Sequence, residues 1–413
     1  MPENWKTYKL EEILEALIDY RGKTPKKTTQ GIPLVTAKIV KQGRIQEPNE
    51  FIAKKDYETW MRRGIPKVGD VVLTTEAPLG EVAQIKDANI ALAQRIVTLR
   101  GKKGVLDSSF LKYFLQSNTG QSRLEARQSG TTVFGIKQSE LRKVLIDCPT
   151  FQEQKSIASI LSALDDKIER NLQMNKTLEE MAMALYKHWF VDFGPFQEGE
   201  FIESELRQIP KGWEIKTVQD FGRVITGKTP SKKFPEHFGE EIPFVTPTDF
   251  KSYGRHITTA ARGISQSGIE KHKNSILPQN SVIVTCIGSD MGKVAVNKVR
   301  CLTNQQINSL ITEHYHYLYL FFKSNYEMLK MLAGDGTTMP IINKTSFQNI
   351  NVILPPQNIL KKFETQIQDW DEQMHLNTIE NQTLTQLRDT LLPKLISGEV
   401  RVKDVEKTLT EVL

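Results

Sequence analysis

Apolar side chains in residues 151–190 fall in steps of four and three: Ile157, Leu161, Leu164, Ile168, then Leu178, Ala182, Leu185 and Trp189, with Asn171 and Asn175 standing at two positions of the same seam. That period is the heptad stripe of a coiled-coil helix. The pattern returns 206 positions later as Phe363, Ile367, Trp370, Met374, Asn377, Asn381, Leu384, Arg388, Leu391 and Leu395, with the two asparagines at matching places. A helix of about 40 residues spans about 60 Å, too long for one small domain to cover. The stripe therefore needs a partner, and the other copy is the obvious one. Laid antiparallel, Asn171 and Asn175 would lie near Asn381 and Asn377, where paired amides fix register at a cost in stability. Half-exposed seam asparagines are the plainer alternative.

Before each long helix the pattern changes. Short runs rich in Val, Ile and Thr, bounded by Gly, Pro, Asn and Asp, predict strands at 70–75, 91–99, 143–148, 281–285 and 351–354. One helical stretch is expected near the end of each run of strands, at 108–117 and 315–325. Prolines close both segments, Pro149 in the first and Pro355-Pro356 in the second. The repeat also extends through these segments. Gly22-Lys23-Thr24-Pro25 recurs as Gly227-Lys228-Thr229-Pro230, Ile32-Pro33 as Ile242-Pro243, Val71-Val72-Leu73-Thr74 as Val282-Ile283-Val284-Thr285, and Gly130-Thr131-Thr132 as Gly336-Thr337-Thr338. Matches kept in one order imply a duplicated unit. The expected fold is α+β: two mostly-β domains in tandem, each followed by a long helix, the helices pairing as an antiparallel coiled coil. The expected boundaries are a first domain at 1–150, a helix at 151–190, a linker at 191–211, a second domain at 212–354, a second helix at 355–398 and a tail at 399–413.

Composition sharpens this in two ways. The three cysteines, Cys148, Cys286 and Cys301, have no ligand spacing and are too few for a disulfide framework. With no leader-like start and no apolar run long enough to span a bilayer, a cytoplasmic protein is expected. Net charge is +6, but residues 1–150 carry +8 (25 basic against 17 acidic side chains) and 212–354 carry +5 (16 against 11), whereas both helix regions are negative. Basic domains on neutral or acidic helices suit modules that bind a polyanion on a frame that contacts protein. Ordinary solvated lysine is the competing reading.

Catalytic patterns are weak. Gly222 to Thr229 fits the phosphate-loop spacing, yet Pro230 and Pro235 oppose the helix whose N-terminus would face the phosphates. There is no Gly-rich dinucleotide turn, no amino-methyltransferase signature and no nuclease carboxylate cluster. His314 and His316 could share a strand face but lack companion ligands, so no metal site is expected.

What remains are loops suited to a duplex. Lys23, Thr24, Lys26 and Lys27, with Lys228, Thr229, Lys232 and Lys233, and the Gly-Thr-Thr loops Thr131, Thr132, Thr337 and Thr338 with Lys137 and Lys344, offer phosphate contacts. Turn chemistry explains the same residues equally well. Positions kept in both copies cannot tell two half-sites apart, so base readers belong where the copies differ: Thr75 and Glu76 against Ser289 and Asp290, residues 38–63 against 249–273, and Gln94 and Arg95 against Gln305 and Gln306. Arg suits guanine and Gln suits adenine in the major groove.

Residues 149–168 at the first helix start, Trp189-Phe-Val-Asp-Phe193 at its exit, and Leu391-Leu-Pro-Lys-Leu-Ile-Ser-Gly-Glu-Val400 resemble the specificity (S) subunits of type I restriction-modification systems. The resemblance covers essentially the whole chain; Gly194 stands where the pattern usually has Asp. It implies two target recognition domains, each binding one half of a bipartite asymmetric DNA site. The helix pair would set the spacing and dock two modification subunits. Those would carry the S-adenosylmethionine chemistry of DNA methylation, and restriction subunits would use ATP and Mg2+, with no cofactor and no catalysis in this chain. The alternatives are a self-contained DNA methyltransferase or nuclease, and a coiled-coil scaffold with two protein-binding domains.

Overall fold

The computed structural model describes residues 2–20, 24–130, 132–251, 254–288, 290–333 and 341–402. Two compact units divide the chain, residues 1–169 with 381–413, and residues 170–380. Each unit thus takes part of both long helices, Phe151–Tyr186 and Gln357–Ser397.

In the first unit the strands Leu14–Asp19, Ile96–Gly101, Val71–Thr75 and Leu79–Gln84 lie side by side in that order, all antiparallel. Val71–Thr75 is buried at every position, because both sheet faces are covered. Val71, Leu73, Val97 and Leu99 point to a core shared with Phe110, Leu111, Phe114, Ile157, Leu161 and Leu395. Val72, Ala83 and Ile96 point the other way, to Leu34, Val35, Ile52 and Ala91 of a smaller second sheet. A strand covered on both sides loses its alternation of apolar and polar residues. This explains the continuous apolar run. The expected strand at 91–99 is two pieces, Ala91–Leu92 and Ile96–Gly101, belonging to different sheets. Between them the chain turns at Arg95, whose φ of 70° is left-handed.

The second unit repeats the plan. Arg223–Thr226, Ile307–Ile311, Val282–Thr285, Val294–Asn297 and His256–Ile257 form its main sheet. One face packs Val282, Val284 and Leu310 against Leu318, Phe322, Leu360, Phe363 and Ile367. The opposite face packs Ile283, Ala295 and Ile307 against Val245, Leu277 and Cys301. The two copies also agree in register: Ile96 pairs with Thr74 and Ile307 with Thr285.

The helix Ser108–Gln116 is capped locally, Asp107 Oδ1 accepting from Ser109 N and Phe110 N. Its counterpart Tyr315–Ser324 has no side-chain cap from His314. There Glu364 of the second long helix accepts from Tyr317 N at 2.9 Å. His314 and His316 therefore begin a helix rather than share a strand face, and His316 is buried.

All fourteen expected helix-seam positions, Leu161, Leu164, Ile168, Asn171, Asn175, Leu178, Leu185, Ile367, Trp370, Met374, Asn377, Asn381, Leu384 and Leu391, are buried or half-buried. Asn377 Nδ2 donates to Asn175 Oδ1 at 2.8 Å, and Asn175 Nδ2 to the Met374 carbonyl at 3.3 Å. Asn171 Nδ2 donates to Glu380 at 2.7 Å, and Asn381 Nδ2 to the Ile168 carbonyl at 3.4 Å.

Candidate nucleic-acid interface

Three segments converge at one end of the main sheet of the first unit, where its inner strands meet, and together they form an edge of the domain. The hairpin loop after Val71–Thr75 is tied to the turn at Arg95 by Thr75 N donating to the Arg95 carbonyl at 2.8 Å. It is tied to the far end of the Gly-Thr-Thr loop by Ile136 N donating to the Thr75 carbonyl at 3.0 Å, and Glu76 pairs with Gly135 as an isolated antiparallel bridge. On the outer side Arg95 Nε sits 2.8 Å from Glu76 Oε1, with the two side chains 52% and 43% exposed. Beyond them Thr132, Val133, Phe134 and Lys137 are exposed. Thr75 itself is 1% exposed and belongs to the core. Gln94 is half-buried.

The second unit builds the same edge from different side chains. Cys286 N donates to the Gln306 carbonyl at 2.7 Å, Ile342 N to the Cys286 carbonyl at 2.9 Å, and Ile287 bridges Ile341. A fourth segment joins them here. Gly227 N and Lys228 N donate to the carbonyls of Ile307 (3.1 Å) and Thr303 (2.8 Å), and the Thr229 hydroxyl bonds the Gln305 side-chain oxygen. Those two N–H groups are spent on the fold, and the chain leaves the strand Arg223–Thr226 without starting a helix at Lys228. A phosphate cradle needs free N–H groups and a helix N-terminus, so the sequence match to a phosphate loop carries no nucleotide site.

Next to this edge lies a cleft of about 310 Å³ lined by Thr246, Thr248, Arg262, Asp290, Asn304 and Gln306, among others. Asp290 is held by Lys293 at 2.7 Å and Lys251 at 3.5 Å. Its hydrogen bond to Lys293 keeps its carboxyl below the usual range. Asn304 Nδ2 donates to Gln306 Oε1 at 2.9 Å and fixes that amide. The edge can therefore present a fork of donors in one unit and an oriented amide in the other.

The remaining expected contacts are more scattered. Thr24, Lys26, Lys27, Lys228, Lys232, Lys233, Gln305 and Lys344 are exposed, and Lys27 also pairs with Glu50 at 2.8 Å. Lys23, Thr131, Ser289, Thr337 and Thr338 lie outside the described residues. Among the described residues no group of three His, Cys, Asp or Glu side chains could hold a metal ion, and no helix is long and apolar enough to cross a membrane.

Sequence reasoning missed the charges that clasp each domain to a long helix. Asp165 receives Lys112 Nζ (2.6 Å), Tyr113 OH (2.8 Å) and Arg388 Nη1 (3.0 Å). Burial opposes its ionisation, but the cations outweigh it and hold the carboxyl below its usual range. Asp371, at the matching place in the second copy, receives Arg255, His256 and Lys298. Glu179 receives Arg255 (3.2 Å), Lys323 (2.7 Å) and the Tyr319 hydroxyl (2.8 Å). The signal was present: Asp165 and Asp371 are a repeated acidic residue beside the seam positions Leu164 and Trp370.

Comparison with known proteins places this architecture. The family described as type I restriction modification DNA specificity domain matches twice, over residues 2–180 and 210–388. The specificity subunit of the type I restriction enzyme MjaIX of Methanocaldococcus jannaschii is 30% identical over 98% of this chain and 95% of its own length. The HindI specificity subunit of Haemophilus influenzae is 30% identical over 76% of this chain and 82% of its own. The crystal structure of the type I restriction-modification S subunit from M. genitalium aligns with a TM-score of 0.59 at 17% identity, covering 95% of this chain and 96% of that one, which shows the shared fold. With two copies of the domain and relatives along its whole length, the chain belongs to the family of type I restriction-modification specificity subunits.

Proposed function

We propose that this chain chooses the DNA sequence for a type I restriction-modification complex and performs no chemistry itself. Its two target recognition domains each bind one half of a bipartite, asymmetric duplex site. The observation that carries the reading is the edge built twice on one backbone plan, with Arg95 and Glu76 in one copy and Gln306 and Ile287 in the other. A common frame that carries different, at least partly exposed side chains is what two different half-sites require. The exposed lysines around it supply phosphate contacts that add affinity without sequence information.

The two long helices form an antiparallel coiled coil that sets the spacing of the half-sites and docks two modification subunits. Asn175 bonded to Asn377 supports one register of that pair. Methyl transfer from S-adenosylmethionine belongs to the modification subunits, and ATP-driven, Mg2+-dependent cleavage to the restriction subunits, in the cytoplasm. The domain boundaries that go with this reading are 1–150 and 212–354 for recognition and 151–190 and 355–398 for the helices.

The test is to assemble the chain with its modification subunits and measure binding to a duplex carrying its methylated motif. Scrambling either half should abolish competition. Equal competition by all sequences would overturn the reading in favour of a non-specific or protein-binding scaffold, and methyl transfer by the isolated chain would favour a self-contained methyltransferase.

A further inference from the structure

We infer that the residue pair at the turn of each edge reads one base pair of its half-site, G·C through Arg95 with Glu76 and A·T through Gln306 with Ile287. This rests on the DNA-specificity reading above and adds the chemistry of the bases. The two pairs are structural equivalents. The carbonyl of Arg95 accepts from Thr75 N and that of Gln306 from Cys286 N, and in each case the next residue of the hairpin loop, Glu76 or Ile287, bridges to the returning loop at Gly135 or Ile341. Identical backbone positions therefore carry an exposed ion pair in one unit and an amide beside an aliphatic side chain in the other.

The donor patterns decide the bases. Arg95 holds Glu76 with Nε 2.8 Å from Oε1, and the guanidinium carries further N–H donors that can serve as a fork. Guanine presents two acceptors, N7 and O6, on its major-groove edge and matches that fork, while adenine sets an amino donor against it. The Glu76 carboxylate orients the guanidinium and accepts from the amino group of the paired cytosine. Gln306 offers one acceptor and one donor. Asn304 holds its oxygen from one side and leaves that oxygen a second lone pair for the adenine amino group, with Nε2 for N7. Ile287 offers only apolar surface, which suits the methyl group of thymine.

The experiment grafts each pair onto the other domain in the full chain, expressed with its modification subunits, and maps methylated sites genome-wide. Arg95→Gln with Glu76→Ile should change one position of one half-site from G·C to A·T, and Gln306→Arg with Ile287→Glu should change one position of the other half-site from A·T to G·C. Each new motif should be preferred at least about fivefold over the old one. Arg95→Ala should leave the same position of the first half-site degenerate. Grafted chains that keep the original motif overturn the inference, as does a change at that position to any other base pair. If a graft abolishes methylation, binding by the purified complex is compared on the original and altered duplexes, and equal affinity for both also overturns it. A wild-type chain that yields no bipartite motif instead refutes the DNA-specificity reading itself, so the two failures are distinct.

Discussion

The guanidinium of Arg255 and the carboxylate of Asp371 form an ion pair in which the two side chains are 3% and 2% exposed. Arg255 also lies over the Tyr319 ring at 4.2 Å and bonds Glu179. Burial opposes ionisation of Asp371, and the surrounding Arg255 and His256 hold it well below the usual carboxylate range. The clasp fastens the second recognition domain to the second long helix, as Asp165 with Lys112 does in the first unit.

Removing one partner of such a pair leaves the other charge buried and alone, at a cost of about 3–5 kcal/mol. Asp371→Asn should therefore lower the unfolding midpoint of the full chain sharply. Asp165→Asn should cost less, because Asp165 keeps 19% exposure. Replacing Arg255 and Asp371 together by apolar residues of similar volume should recover only part of the loss, because Lys298 and His256 then lack their carboxylate and Glu179 loses one of its cations. Denaturant unfolding of the three variants measures this.

Glu364 sets a pH dependence. Burial pushes its carboxyl up to about 8, although the N–H groups of Tyr317 and His316 pull it down. A carboxyl raised in the folded state gives stability that is complete below its unfolded value, about 4.3, and is lost as pH rises through 8. His316, pushed down to about 3 chiefly by burial, acts in the opposite sense: its contribution is complete above about 6.5 and is lost as pH falls toward 3. Between pH 6.5 and 8 the Glu364 slope should dominate this pair of groups, reaching at most about 1.4 kcal/mol per pH unit. Glu364→Gln should flatten it, read from unfolding curves across that range.

Asn175 and Asn377 bond to each other, Asn377 being 3% exposed. Asn377→Leu alone removes the donor to Asn175 Oδ1, leaving that amide only its bond to the Met374 carbonyl, and should destabilise by about 1–3 kcal/mol. The double variant to Leu should regain that stability. It should also loosen the helix register, seen as methylation of sites with more than one spacer length.

Lys137 and Lys344 are exposed beside the two edges. Lys137→Ala and Lys344→Ala should weaken DNA binding by the assembled complex equally for specific and unspecific sequences. Each should reduce the slope of log affinity against log salt by about 1. An effect confined to one sequence would assign the lysine to base readout instead.

Burial pushes the thiols of Cys148 and Cys301 up to about 12 and that of Cys286 to about 11. A thiol reagent at neutral pH should leave the native chain unlabelled and modify all three cysteines after denaturation.

The sequence by itself determined the duplication, the two long helices, the places of several main strands and the excess charge of the domains. Each is a matter of local period or composition: the four-and-three stripe at Leu161 to Leu185, the Val-rich run at 71–75, the lysines after each Gly-Lys-Thr-Pro turn. The split of 91–99 into two strands was not legible, because a run covered on both faces shows no break in hydrophobicity where the chain crosses from one sheet to the other. Tertiary structure alone decided which divergent loops share an edge, since Thr75, Arg95 and Ile136 are joined by backbone bonds across tens of residues. It also decided that Thr75 is core while Glu76 is half-exposed, and that the helix start at Tyr315 is capped by Glu364 rather than by its own neighbour. Backbone groups and buried charges take whichever partner the folded chain brings within reach, and that partner is set by the path of the chain and not by the residues beside it.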